Sequence, residues 1–585
     1  MRAHLAPLAL LSSVLATTLA AGSGAAMQRP AQHRLLVVGG SIRTENGWSR
    51  AMVVDDGVIS YLGNEHTARR RAGSRASVLD LKGSTVLPGL VDSHVHPLFA
   101  GLTEMNCRLP VNGSSQQIRY AIGQCVAKAS RDEWIRGGNW VAASFSAGEQ
   151  GRPFLDAIAP DNPVALDDEA LHSLWVNSRA LKLAGIDRNT PNPPGGIIER
   201  DAAGEPTGLL RESATRLITK VVPPDSLARR KAAIRWAADH MLSQGITAFT
   251  VASIRDPDIE PFAQLTREGQ VKQRIRGCIV WESQEGEQKA TGERLIAARA
   301  QYETERFKPD CVKIFMDGVP TESHTGAMLE HYADRTDGDQ RPAKGLLLAN
   351  PADLNPAVAR FDRMGLSVKF HSAGDAAVRS AIDAIAFARK ANGKTGPVHV
   401  VAHSTFVDPA DTGRLGKLNG AWEFSPYIWY PTPIASVDIL KAVGPERMQR
   451  WMPIADILQT GALAVAGSDW PVVPAVDPWL ALETLVTRQR PGGSREALAA
   501  GQAINRDSAL RLLTINGARA MRLNQQVGLL SVGRKADFIV TRENPLSTPI
   551  HEVHKTTVLL TFINGENVFR HPASVAVISS GDRAR

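Results

Sequence analysis

The sequence predicts an α/β protein with three parts: a (β/α)8 TIM-like barrel, a small β-domain built from both chain ends, and a large α+β insertion after the first barrel strand. Three observations carry that expectation. Through the middle of the chain, apolar β-rich runs alternate with helical periodicity, the sign of a parallel sheet. Eight candidate strands start near Val86, Ile246, Arg274, Cys311, Ser367, Val398, Ala421 and Leu463. Side chains able to bind metal recur at or near the ends of these runs, and strand C-terminal ends converge at the mouth of a barrel. A doubly wound open sheet is the structural rival, but it would not normally gather ligands from strands so spread in order.

The chain ends read as β-structure. Ala51 to Leu62 is two strands around an Asp56-Gly57 turn, a strong hairpin signal. Val78 to Val86 repeats the pattern around Lys82-Gly83, and Val558 to Arg570 around Asn564-Gly565. Gly528 to Val540 is a turn feeding a strand. Helical periodicity marks Ala376 to Lys390 and Pro478 to Arg488. From His96 to Ile246 the rhythm breaks for 150 residues, which must hold an inserted subdomain, with a hairpin at Gly195 to Gly208. A second excursion, Asp317 to Asn350, follows the fourth strand. Long loops at a catalytic mouth commonly form lids and walls.

Residues 1–26 read as a secretory signal peptide: Arg2, an uncharged apolar run from Leu5 to Leu19, then Ala20, Ala21, Ala25 and Ala26. The run is short for a membrane span, an uncleaved anchor being the alternative. The expected organisation is signal 1–26, N-terminal β-sandwich part 27–87, barrel 88–522 with an insertion at about 100–240, and C-terminal sandwich part and tail 523–585. An exported protein follows, periplasmic or secreted, with no stable membrane span after cleavage. Lys and Arg number 67 against 59 Asp and Glu, a net charge of +8. The basic residues are scattered without interleaved aromatics, which excludes nucleic acid as the expected partner. A small-molecule substrate remains, and a homo-oligomer is compatible with the sequence. Export permits disulfides. Cys107 and Cys125 form a candidate pair, while Cys278 and Cys311, inside apolar strand runs, are expected as buried free thiols.

The chemistry is carried by six positions. His94 and His96 are two apart, which on a strand puts both imidazoles on one face. Asp92 shares that face and could orient one ring. Lys313 lies among Val312, Ile314 and Phe315, where a bare ammonium would be costly. A buried lysine tends toward a neutral amine, which can take up carbon dioxide to give an anionic carbamate that bridges metals. His371 and His403 end successive candidate strands. His399 points the other way by alternation. Asp469 ends the eighth run, and could bind metal and handle a proton. Metal-bound water falls in pKa from 15.7 to about 7, so metal-bound hydroxide could attack a carbonyl while Asp469 acts as general base, then acid.

The motifs then resemble a known family. Leu87-Pro-Gly-Leu-Val-Asp-Ser-His-Val-His96, Val312-Lys-Ile-Phe-Met-Asp-Gly318, His371-Ser-Ala-Gly-Asp-Ala-Ala377 and Ala466-Gly-Ser-Asp-Trp-Pro-Val472 are similar to strand motifs of the amidohydrolase superfamily. The likeness, from about Leu35 to Arg570, is to its amidohydrolase-3 branch, which includes N-substituted formamide deformylases. The resemblance implies a distorted barrel, a composite β-sandwich, and hydrolysis of non-peptide C–N bonds with one or two divalent metals, zinc first. It implies His94, His96, Lys313, His371, His403 and Asp469 as ligands, with Lys313 carboxylated. His172 looks like a substrate-side histidine from the insertion. Asp92 and Asp375 are candidates for carboxylates behind the ligands. Trp429 and Trp470, with Phe424 and Tyr427, could wall an apolar pocket. Two departures stand out. Ala402 replaces a glutamate common before the sixth-strand histidine, and Val319-Pro-Thr-Glu-Ser-His324 replaces a Gly-Ser-Leu-like turn. Glu322 and His324 read as a solvated loop. The alternatives are an ester, lactone or carbamate hydrolase using the same site, and a non-catalytic ligand-binding barrel.

Overall fold

The computed structural model describes residues 33–577 apart from 111–112, 141–143, 147–148, 169–172, 194–195, 284–285, 322–323, 337–340, 426–429, 433 and 474. Eight parallel strands form one sheet in chain order: β1 (Leu90–Val95), β2 (Ile246–Ile254), β3 (Arg274–Val280), β4 (Phe307–Phe315), β5 (Ser367–Ser372), β6 (His399–His403), β7 (Gly420–Phe424) and β8 (Leu463–Ala466). Each pairs with its chain neighbour, and the sheet curls until its two ends meet. Just beyond β8, Asp469 N–H donates to the His94 carbonyl at 2.7 Å, and His96 N–H donates to the Trp470 carbonyl at 2.9 Å. Gly467 permits this approach, because a Cβ there would stand 2.4 Å from the His94 Cβ. The result is the near-closed barrel that the strand rhythm predicts.

Parallel strands covered on both faces read as near-continuous apolar runs, and every residue of β3 and β6 is buried. Helices cover the outside. Asp375–Asn392 lays Ala377, Ala381, Ile385 and Ala388 on the sheet at helical spacing and stops at Gly393. Between sheet and helices lies a continuous core containing Phe249, Phe262, Phe307, Phe361, Trp422 and Trp479. Burial of one phenylalanine of this kind stabilises by about 1.5–3 kcal/mol.

Both chain ends supply two further sheets. One has Val58–Gly63, Ala51–Asp55, Arg34–Val38 and Ser77–Asp80, in that order. The other has Glu566–Arg570, Val558–Ile563, Phe538–Thr541, Thr85–Pro88, Ser41–Thr44 and Gly47–Ser49. Val37, Met52 and Ile59 of the first sheet share a core with Ile42, Val86 and Phe538 of the second, so the two pack as a sandwich. Asp56 and Gly57, and likewise Asn564 and Gly565, have positive φ, as tight hairpins require.

Two expectations fail here. Lys82-Gly83 does turn the chain, but its flanks do not pair with each other. Ser77–Asp80 joins Arg34–Val38, while Thr85–Pro88 joins Ser41–Thr44 and Phe538–Thr541. Val86 therefore belongs to the sandwich, and the barrel begins at Leu90. Local turn chemistry reverses a chain, but it does not choose the sheet each arm enters.

The insertion carries a six-stranded sheet that includes the hairpin Gly196–Arg200 with Pro206–Glu212. Its core surrounds Trp140, Phe154 and Trp175. Helix Leu227–Ser243 returns the chain to the barrel. The candidate pair Cys107 and Cys125 is disulfide-bonded. Cys278 and Cys311 are bonded too, not free. They lie directly opposite each other on β3 and β4, a register that run composition does not reveal. No helix of the described residues is long and apolar enough to cross a membrane.

Candidate metal centre

The site sits where β1, β4, β5, β6 and β8 end. His94 is fully buried near the end of β1, and His96 follows one residue beyond it, one-fifth exposed. Both Nε2 atoms face Asp469 Oδ1, at 3.5 Å from His94 and 3.1 Å from His96. His403 Nδ1 approaches the other carboxylate oxygen at 3.8 Å. The His403 ring lies 4.8 Å from that of His94 and 4.4 Å from that of His371. Four imidazoles and one carboxylate thus meet in one place. Lys313 rises beside them, 1% exposed. Its Nζ makes no hydrogen bond with a described residue, and Phe315 is stacked near it with the ring centroid at 5.0 Å.

Backbone strain marks the same place. His403, the last residue of β6, and Ser404 just beyond it have φ of 67° and 44°, and Asp469 has φ of 61°. Non-glycine residues in this left-handed region cost of order 1–3 kcal/mol each and persist where the surroundings hold them. Here Ser404 N–H is held by the Ser372 carbonyl at 3.0 Å, and Asp469 by its bond to His94. These bends aim His403 and Asp469 across the mouth instead of along their strands.

Electrostatics suit a cation. Burial, then the nearby positive charge of Lys313 and Lys369, holds His94 well below its ordinary pKa. Burial and neighbouring positive groups do the same to His403. Both rings are therefore neutral at pH 7, with a lone pair to offer. Burial pushes Lys313 down to about 8, with Lys369 adding to the fall and Asp469 opposing it. His94, His96 and Asp469 offer donor atoms all within 4.8 Å of one another, a spacing that could hold a metal ion.

The family model described as "Amidohydrolase family", Amidohydro_3, matches residues 77–569. The chain belongs to the amidohydrolase family. It is 29% identical over 554 residues to the Arabidopsis thaliana protein LONG AFTER FAR-RED 3, covering 92% of this chain and 91% of the relative. To the N-substituted formamide deformylase of Arthrobacter pascens it is 26% identical, covering 91% of this chain and 97% of the relative. Among solved structures, an uncharacterized metal-dependent hydrolase from Pyrococcus furiosus superposes with a TM-score of 0.72 at 23% identity, over 88% of this chain and all of that one. At that identity the last likeness is one of fold.

The carboxylates behind the rings of this amidohydrolase differ from the expectation. Asp92 does not touch a ring. Its Oδ1 accepts from the backbone N–H of His94 and of Ser468, each at 3.0 Å, tying β1 to the end of β8. Burial raises it to about 6 against those bonds. The His94 ring is held instead by Glu423 of β7, whose Oε1 lies 2.5 Å from Nδ1. Nor does Asp375 reach a ring. It accepts from Leu329 N–H at 2.7 Å and anchors the excursion after β4. His371 Nδ1 lies 3.1 Å from Asp317 Oδ1, and Asp317 is itself fixed by N–H groups of Ala327, Ala373 and Gly374. Glu423 had a sequence signal, a carboxylate inside the apolar run Gly420–Phe424, which is the oddity that also singles out Lys313.

The wall also differs. Phe424 is buried in the core, and Trp470 is 6% exposed, packed against Trp236 and His240. Neither ring is an open pocket face. His172, Tyr427, Trp429 and Glu322 lie outside the described residues. His324 is not on a solvated loop. It is fully buried, stacked on Tyr332 at 4.0 Å with Nε2 2.7 Å from Asp334. His399 turns away from the site as alternation requires, with Nε2 2.9 Å from Asp362.

Proposed function

We propose that this amidohydrolase is a metal-dependent hydrolase of non-peptide carbon–nitrogen bonds. The observation that carries the reading is the convergence of His94, His96 and His403 on Asp469, beside a buried lysine amine that has no hydrogen-bond partner among the described residues. His94, His96, His371, His403, Asp469 and carboxylated Lys313 would hold one or two divalent ions, zinc first. Bound there, such an ion supplies a Lewis acid for the carbonyl oxygen and lowers the pKa of water.

The side chains do the rest. The lowered pKa of Lys313, about 8, makes its neutral amine roughly a hundredfold or more abundant at pH 7 than that of an exposed lysine. That amine can add carbon dioxide and release a proton, giving a carbamate. Asp469 accepts the proton that water gives up as its oxygen bonds to the carbonyl carbon. It then returns that proton to the leaving nitrogen as the C–N bond breaks. The curated relative called N-substituted formamide deformylase supports the choice of bond. The N-terminal leader pattern supports export.

The test is a panel of N-formyl, N-acyl, carbamate, ester and lactone compounds, run on protein with measured zinc, manganese or cobalt content. C–N cleavage lost to a chelator and restored by metal is expected. Turnover of lactones or esters alone would transfer the reading to C–O bonds. Absence of stoichiometric metal after reconstitution with bicarbonate would favour a ligand-binding barrel.

A further inference from the structure

Beneath the histidines, two charged side chains are sealed inside the barrel. Glu423 of β7 is fully buried, and Lys369 of β5 is 2% exposed. Their roles differ from those of the mouth residues. Glu423 divides its carboxylate: Oε1 meets His94 Nδ1 at 2.5 Å, and Oε2 is hydrogen-bonded by Lys369 Nζ. The same Nζ donates to the Ser93 carbonyl at 2.9 Å, on the residue before His94. One lysine therefore grips both the strand that carries His94 and the carboxylate that holds its ring. A carboxylate can only accept, so this contact puts a proton on Nδ1 and leaves Nε2, the atom facing Asp469, with its lone pair.

We infer that Glu423 and Lys369 are a positioning pair, which sets the tautomer and aim of His94 and thereby the affinity of the site for its metal. This rests on the metal-site reading above. The pair is not explained by stability alone. A buried ion pair is weak evidence for stability, and apolar residues of similar volume often serve as well or better. A carboxylate that orients a ligating imidazole is typically worth 10–100-fold in metal affinity. Both carboxylate oxygens of Glu423 are engaged, one by His94 and one by Lys369, so it acts through His94.

The test is zinc affinity, by competition with a chromophoric chelator, in the full chain. Glu423→Gln with Lys369→Met removes both charges together, so no lone ion is left buried. Glu423→Asp keeps both charges but withdraws the carboxylate by one methylene. Each is compared with wild type by thermal melting of the zinc-free form. The expected result is a ten- to hundredfold loss of zinc affinity in the double variant and a smaller loss in Glu423→Asp, with melting near wild type. Turnover per bound zinc should change far less than affinity. Wild-type affinity in whichever of the two variants folds would overturn the pair while leaving the metal site intact. A wild-type protein that binds no zinc, manganese or cobalt would overturn both.

Discussion

Lys313 and Lys369 lie opposite each other in register on β4 and β5, both buried, yet of the two only Lys369 is hydrogen-bonded to a carboxylate among the described residues. An ammonium locked to Glu423 cannot act as a nucleophile. The amine without that lock can. The neighbouring positive charge of Lys369 also lowers the pKa of Lys313, which favours its reactive form. The two lysines are chemically identical, and their partners separate their roles.

Lys313→Ala should lose metal, with partial rescue by a short-chain carboxylic acid that occupies the carbamate position. Metal content and turnover, each with and without added acid, check this. Full metal and activity in the unrescued variant would remove the carbamate from the site.

Asp469→Asn should lower turnover by about 10²–10⁴-fold, the usual contribution of a positioned acid–base group. The fold should persist, because the Asp469 N–H that closes the barrel belongs to the backbone. Unchanged turnover, with melting like wild type, would take the proton role from Asp469.

Acid stability should report Asp362. Burial raises its pKa, but hydrogen bonds from His399 and Asn392 and the charge of Arg389 outweigh that and hold it at about 2. A carboxylate depressed in the folded state contributes stability above its unfolded value of 3.8, lost as pH falls toward 2. The contribution is about 2 kcal/mol at neutral pH. Unfolding measured from pH 6 down to pH 2 should show a shallower loss in Asp362→Asn than in wild type. Parallel curves would refute the assignment.

The bond between Cys278 and Cys311 closes a loop across 33 positions. Its removal by Cys278→Ala should cost about 4 kcal/mol on chain-entropy grounds. Peptide mapping without reductant should recover Cys278 linked to Cys311 and Cys107 linked to Cys125. Recovery of Cys278 and Cys311 as free thiols in oxidised protein would contradict the pairing.

Much was legible locally. The strands from Ile246, Arg274, Ser367 and Leu463 begin where the apolar runs begin, because burial on both faces writes itself into consecutive residues. The apolar runs also carry His94, Lys313, His371, His403 and Asp469 at or near their ends, and the fold brings these side chains to one mouth. Less legible was anything set by a residue's partner. Asp92, in the right alternation for a ring contact, is taken by two backbone N–H groups. His324 reads as polar loop, but its ring is buried and stacked on Tyr332.

The sequence by itself determined the barrel, the two-ended sandwich and the set of side chains that gather at the mouth, since alternation, strand endings and turn residues act over a few positions. The tertiary structure alone decided who holds whom. Glu423 and His94 are 329 residues apart, and barrel closure brings them together. Strand register likewise sets Cys278 against Cys311 and Lys313 against Lys369. The physical reason is that a hydrogen bond or ion pair depends on atoms within about 3 Å, and only the closed sheet fixes such distances between remote parts of the chain.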